Sequence, residues 1–191
     1  MGRMSKVIYS MGVSLDGYAE DADGGFAWSA PDPAIHQLAN DQARAARVFV
    51  YGRRLYETME PYWPAAVGDP SLSPVEAEFA RLYSDTPRII VSDTLETVGE
   101  NCTLIRRADA RAEVQRLKAE PAEGHIDIGG PALAASLIDL VDEFRLWVNP
   151  VAVGGGKPFF PADVQVPLEL VECRPFDSGV VWLRYARVRD R

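Results

Sequence analysis
The chain has 191 residues, 47% hydrophobic and 25% charged, with 15 Gly and 14 Pro, proportions that exclude a disordered, collagenous or membrane-embedded protein. Twenty basic against 28 acidic side chains leave a formal charge of −8, so no general attraction to DNA, RNA or anionic lipid is expected. Two cysteines, Cys102 and Cys173, are too few for a disulfide framework, and no apolar run approaches the ~20 residues of a membrane span.

The first residues carry neither the long apolar stretch nor the cleavage site of a secretory leader, so the expectation is one cytoplasmic domain over 1–191. Val7 to Val13 reads as the first strand, followed by a loop rich in Gly, Asp and Pro. Asp32 to Ala46 reads as a helix with Ile35, Leu38 and Ala39 inward. Val48 to Tyr51 is a compact buried strand ended by Gly52, and Arg53 to Met59 a short helix stopped by Pro61. Ser73-Pro74-Val75-Glu76 is a helix start with cap, Pro and capping-box Glu in order. Arg88 to Val91 and Thr103 to Ile105 are strands, and Asp109 is expected to cap a polar helix to Lys118. His125 to Ile128 is a strand, Gly129-Gly130 a turn, and Pro131 opens a helix to Leu140. Phe144 to Val151 is strand again. Asp177-Ser178-Gly179 joins Leu168–Cys173 to Val180–Val188 as a terminal hairpin. Strand–helix units followed by a hairpin predict a largely parallel sheet with antiparallel strands at one edge.

Several chemistries find no support in the residues. There is no Cys-x-x-Cys or His-x-x-x-His, so no transition-metal site is expected. Gly12-Val13-Ser14-Leu15-Asp16 lacks the second glycine of a nucleophile elbow, and Gly156-Lys157 is followed by Pro158, which excludes a P-loop. Neither glycine cluster has the Rossmann spacing. What remains is a series of strand ends suited to anions. Ile128-Gly129-Gly130-Pro131 couples two glycines to a helix start, an arrangement that fits either a pyrophosphate or an ordinary βα turn. Tyr51-Gly52-Arg53-Arg54 puts two guanidiniums at a helix start, where they oppose the dipole unless an anion is near. Val91-Ser92-Asp93-Thr94 and Arg106-Arg107 end two further strands. Together they suggest one extended anionic ligand across the sheet edge.

Six segments in this order resemble the dihydrofolate reductase superfold, and within it the RibD C-terminal-domain group. They are Ser14-Leu15-Asp16-Gly17-Tyr18, Gly52-Arg53-Arg54-Leu55-Tyr56-Glu57, Arg88-Ile89-Ile90-Val91-Ser92, Ile128-Gly129-Gly130-Pro131-Ala132-Leu133, Leu140-Val141-Asp142-Glu143, and Pro150 through Gly154-Gly155-Gly156 to Phe159-Phe160. The resemblance covers nearly the whole chain. It implies an α/β, dihydrofolate reductase-like three-layer fold with a mixed, mostly parallel sheet of about eight strands, helices on both faces and a C-terminal antiparallel hairpin. It also implies an NAD(P)H-dependent reductase related to 5-amino-6-(5-phosphoribosylamino)uracil reductase, NADPH being expected in preference to NADH, in a group that is often dimeric.

By position, the resemblance implies that Gly129, Gly130, Ala132 and Leu133 meet the cofactor pyrophosphate, and that Gly52, Arg53 and Arg54 hold the phosphates and adenosine side. Ser92, Asp93 and Arg106 would line the adenine-ribose end, with Arg106 on a 2′-phosphate and Asp93 working against that preference. Met11, Gly12 and Val13 would pack around the nicotinamide. Asp32 is the candidate catalytic acid, although its place before Pro33 favours a helix cap over that role, while Trp28 and Tyr56 either face a substrate or pack. The pattern also departs from the family's. Asp32 sits one residue early and Val148 stands where a hydroxyl is expected, which argues against folate; Gly52-Arg53-Arg54 replaces the riboflavin enzyme's Gly-x-Gly-Thr, and no zinc deaminase domain is present. The expectation is therefore a stand-alone relative acting on a small polar heterocycle. A non-catalytic nucleotide- or ligand-binding protein and an atypical dihydrofolate reductase are the alternatives.

Overall fold
A computed structural model describes residues 5–189. Short, nearly continuous apolar runs build the centre: β1 (Val7–Ser14), β3 (Ala46–Gly52), β4 (Arg88–Val91) and β6 (His125–Gly129) have the composition of strands covered on both faces. β5 (Cys102–Ile105) and β7 (Glu143–Asn149) extend them in the same direction, while β9 (Leu168–Pro175) and β10 (Val181–Arg187) form the antiparallel edge. The eight strands run in the order β5-β4-β3-β6-β1-β7-β10-β9.

Period-two alternation sends Val48, Val50, Ile126 and Ile128 to one face, under Val114 and Leu117 of α4 (Arg107–Ala119) and Leu133 of α5 (Pro131–Ser136). The opposite face carries Phe49 and Tyr51, packed with Ala43 of α1 (Pro33–Arg44), Tyr56 of α2 (Arg53–Met59) and Tyr83 of α3 (Pro74–Asp85). This is the expected dihydrofolate reductase-like three-layer arrangement. The capping box on α3 forms as read, with Ser73 Oγ at Glu76 N and the Glu76 carboxylate back on Ser73 N at 2.9 Å.

Three local expectations are revised. Asp109 is not the cap of α4: Arg106 holds that position, and the orphan N–H of Arg107 is met across the sheet edge by Asp93 Oδ1 at 3.0 Å. The helix from Pro131 stops at Ser136, whose hydroxyl donates to Leu133 O at 2.7 Å, and the chain tightens into a 3-10 turn over Ile138–Leu140. On α1 the fully buried positions are Ile35, Asn40 and Ala43, with Leu38 and Ala39 only half-buried. Asn40 is admitted because its amide donates to Val75 O and Glu78 Oε2, both at 2.9 Å.

A second small sheet, β2 (Tyr18–Glu20) with β8 (Lys157–Pro158), has no counterpart in the sequence reading. Gly156 makes it possible: at φ +132° a Cβ would stand 2.0 Å from Glu20 O. Asp16 holds the same glycine loop by accepting the N–H groups of Val153 at 3.1 Å and Gly154 at 2.7 Å. Among the described residues, no helix is long and apolar enough to cross a membrane.

Candidate functional site
The strand order creates a crevice. The chain builds outward from β1 through β3 and β4 to β5, then returns to insert β6 between β3 and β1. Neighbouring residues Tyr51 and Gly129 mark the carboxyl ends of β3 and β6. From there α2 packs on one face of the sheet and α5 on the other. Adjacent strands whose following helices leave on opposite faces open a gap at their carboxyl ends, the usual ligand site of such sheets.

The gap is a cleft of about 680 Å³, with Met11 of β1 and Val91 of β4 at its floor. Its two walls meet at glycines. Gly130 adopts φ +99°, which only glycine takes without strain, and a Cβ there would lie 3.8 Å from Gly52 N. The backbones of both junctions therefore face the cleft bare. Ala132 and Leu133 follow in the first turn of α5, where backbone N–H groups have no partner within the helix.

Four cationic side chains line the cleft, Arg53, Arg54, Arg107 and Lys157, against two carboxylates, Glu20 and Glu57. Arg53 Nε pairs with Glu57 Oε1 at 2.7 Å one turn along α2, and Arg53 Nη1 donates to Thr94 Oγ1 at 2.8 Å. Arg54 reaches over the cleft mouth to Glu20 Oε2 at 2.9 Å. Arg107 meets Asp93 only at 3.6 Å with its side chain 72% exposed, and Lys157 has no carboxylate partner among the described residues. A protein of net charge −8 thus gathers four cations against two carboxylates in the lining of this cleft.

Of the residues expected at a cofactor, Met11, Gly52, Arg53, Arg54, Gly130, Ala132 and Leu133 line the cleft together. The others lie outside its lining. Gly12 is pressed against Ser29, whose Cβ would be 3.1 Å from a side chain there, and Val13 is buried in the core. Gly129 is taken up in packing against Leu55 and Tyr51. Ser92, Asp93 and Arg106 brace the wall: Ser92 Oγ accepts the N–H groups of Thr94 and Leu95, and Arg106 Nη1 donates to Ser92 O at 2.9 Å and Leu95 O at 3.0 Å. Asp93 accepts the Arg107 N–H at the start of α4, as described above.

The expected reacting residues also stand apart. Asp32 is the N-cap of α1, its Oδ1 accepting from Ala34 N and Ile35 N, both at 2.9 Å. Hydrogen bonds from Ile35 N–H and then the Ser178 side chain hold its carboxyl below the usual range, which keeps it ionised near neutrality. Tyr56 is buried under α2 with its hydroxyl accepting Gly99 N–H at 2.9 Å. Trp28 sits half-buried in a 3-10 turn (Ala27–Ser29), its indole N–H shielded and without a partner among the described residues.

Sequence reading missed Glu20, Leu55 and Lys157 as cleft residues, and from the Arg106-Arg107 strand end it carried only Arg106 to the cofactor. Lys157 follows the Gly154-Gly155-Gly156 run and Arg107 follows Arg106, so each stood beside a noted signal. Only the pairing of β2 with β8 and the start of α4 decided which side chain points inward.

The sequence matches the RibD C-terminal domain family over residues 5–182. The uncharacterized protein YyaP of Bacillus subtilis (strain 168) is 31% identical over 187 residues, covering 96% of this chain and 95% of its own. A putative riboflavin biosynthesis protein from Shewanella sp. PV-4 superposes with a TM-score of 0.69 at 20% identity, over 96% of this chain and 99% of that one. Dihydrofolate reductase from Enterococcus faecalis, complexed with NADP(H) and RAB-propyl, gives 0.63 at 15% identity over 98% and 99%. At such identities the two structures establish the shared fold.

Proposed function
The chain belongs to the RibD C-terminal domain family, and from that premise we propose that it is an NADPH-dependent reductase, acting as a single domain on a small polar heterocycle. The observation that carries the reading is the cleft at the ends of β3 and β6, where bare glycine backbone and four cations converge in an acidic protein. The family's riboflavin-pathway reductases and the NADP(H) held by the Enterococcus faecalis enzyme support it.

The residues present fit a dinucleotide. Gly52 and Gly130 leave the space that side chains would fill, and the cleft volume of about 680 Å³ is within the range of ligand pockets. Arg53 and Arg54 would take phosphate oxygens in exchange for Glu57 and Glu20, which frees both carboxylates to water. Arg107, in place of Arg106, is the guanidinium offered to a 2′-phosphate, since it lines the cleft while Arg106 turns Nη1 to two backbone carbonyls outside the lining. Met11 supplies an apolar floor for the nicotinamide end. The bound cofactor supplies the hydride; the protein supplies position and exclusion of water. Asp32, held ionised by its cap bonds, does not enter as the acid, and solvent water is assigned as the proton source.

The test is a titration with NADPH and NADH, following quenching of the four tryptophans and energy transfer to the reduced nicotinamide. Micromolar NADPH binding, weaker for NADH, is expected, with Arg107→Ala narrowing that difference by roughly tenfold. Absence of binding by either cofactor at millimolar concentration overturns the assignment.

A further inference from the structure
One ion pair bridges the mouth of the cleft, Arg54 Nη1 to Glu20 Oε2 at 2.9 Å. Its two partners stand in different surroundings. Arg54, at the start of α2, keeps 62% of its side chain in solvent, whereas the Glu20 side chain is only 12% exposed. Arg54 can leave for another anion at little cost, because an exposed guanidinium is well solvated. Glu20 cannot lose its cation so easily, since that would leave a largely buried carboxylate uncompensated.

A replacement cation stands on the same two-stranded sheet. The β2–β8 register sets Lys157 opposite Glu20, both side chains line the cleft, and Lys157 has no carboxylate partner among the described residues. Directly opposed cross-strand residues lie within reach of each other's long charged side chains. The Tyr9 hydroxyl is shielded from solvent without a partner among the described residues, and burial and then the Glu20 charge push it above its ordinary pKa. Glu20 therefore has a second unused donor in its neighbourhood. The backbone around it is fixed. Phe159, two residues beyond Lys157, is 1% exposed, stacks on Tyr9 at 4.1 Å and donates its N–H to Gly17 O at 3.0 Å. On the other side of Lys157, the bare Gly156 packs so closely on Glu20 O that a Cβ would collide with it. A carboxylate can change partners here by side-chain rotation alone.

We propose that Glu20 stands in for a ligand phosphate on Arg54 and passes to Lys157 when an anion takes that guanidinium, so that the cleft mouth opens by an exchange of ion-pair partners on a fixed backbone. Each charge stays paired through the exchange: Arg54 gives up a carboxylate for a phosphate oxygen, and Glu20 gives up a guanidinium for an ammonium. Lys157 is then a positioning residue, acting on the ligand through Glu20 and not by touching a phosphate. The pair also discriminates, because an uncharged nucleoside brings nothing to displace Glu20 from Arg54, whereas a phosphate does. That the displacing anion is a cofactor phosphate rests on the reductase reading; the exchange itself does not.

Trace acetylation of the full chain without ligand, read by peptide mass spectrometry, compares Lys157 with Lys6, which Glu143 holds at 3.3 Å. Arg54→Ala takes away the cation that Glu20 now holds, so Lys157 should react about threefold more slowly relative to Lys6, and Arg54→Ala/Glu20→Gln should restore the wild-type ratio. Arg54→Gln, which keeps most of the side-chain stem, should repeat the result. An unmoved ratio in both Arg54 variants, or an equal fall when Glu20 is also changed, overturns the proposal. In NADPH titrations, Lys157→Met should weaken binding about threefold in the wild-type background and leave it unchanged in Glu20→Gln. An equal loss in both backgrounds would make Lys157 a direct phosphate ligand and overturn the exchange. If the acetylation pattern holds but NADPH does not bind, the exchange stands and the reductase reading falls. If NADPH binds and the ratio does not move, the exchange alone falls.

Discussion

Gly129→Ala probes how closely Leu55 and Tyr51 pack on the end of β6. The added Cβ would lie 2.3 Å from Leu55 Cδ2 and 2.7 Å from two carbons of the Tyr51 ring. Leu55 ends in a flexible, half-exposed side chain and can swing away. Tyr51 cannot: it is stacked on Phe49 at 5.4 Å and on Tyr83 at 6.3 Å, inside a covered face of the sheet. The expected loss is that of an overpacked core, about 1–3 kcal/mol. For a chain of this length that lowers Tm by roughly 2–12 °C. Thermal melts and urea titration with an unchanged slope measure it. Leu55→Ala removes the 2.3 Å clash and leaves the ring contacts, so Gly129→Ala/Leu55→Ala should lose less than the sum of the single variants by about 0.5–1.5 kcal/mol. Additive losses, or a Gly129→Ala protein melting within about 1 °C of wild type, would refute the claim that glycine is required there.

Glu143 is 2% exposed and meets Arg145 at 2.7 Å, Arg184 at 3.1 Å and Lys6 at 3.3 Å. Burial alone would raise its carboxyl, but those three cations outweigh it and hold the pKa below the ordinary value. Its contribution is therefore complete above its unfolded value of about 4.3 and fades as pH falls through the lower folded value. Glu143→Gln should cost about 3 kcal/mol at pH 7, the lower end for a broken buried pair because Lys6 and Arg184 reach water. Urea titrations at pH 7 and pH 3 should show that difference shrinking in acid, and a constant difference contradicts the assignment. Ser73→Ala removes the cap of α3 and should cost about 1 kcal/mol by the same titration at pH 7; a loss below about 0.3 kcal/mol would show the cap to be idle. Asp16, whose carboxyl is lowered to about 2 by the Ser14 hydroxyl and then by the Gly154 and Val153 N–H groups, anchors the glycine loop beside the cleft. Asp16→Asn should speed hydrogen exchange at Val153 and Gly154 at pH 7 while leaving exchange in β1 unchanged; equal exchange at both amides argues that the loop is held by other contacts.

The elements were legible wherever a local physical cause acted alone. Short, nearly continuous apolar runs placed β1, β3, β4 and β6, and Ser73-Pro74-Val75-Glu76 placed the start of α3, because burial pattern and capping are properties of neighbouring residues. Reading stopped where the partner was distant in sequence. Asp109 looked like a cap because nothing local showed that Asp93, on another strand end, would meet Arg107 N–H. Arg106 and Arg107 were indistinguishable as phosphate ligands until the fold turned one toward two backbone carbonyls and left the other in the cleft.

By itself, the sequence determined strand–helix units ending in a hairpin, the acidic charge and the glycine-bearing junctions at Gly52 and Gly130; the three-layer class came with the family resemblance. The elements and the charge follow from apolar patterning and composition, and Gly130, at φ +99°, from a backbone conformation that only glycine takes without strain. Tertiary structure alone decided that β6 inserts between β3 and β1, and hence that the two junctions face one another across a cleft. Pairing between strands far apart in the chain is chosen by the summed burial of the whole sheet, a quantity no single segment carries.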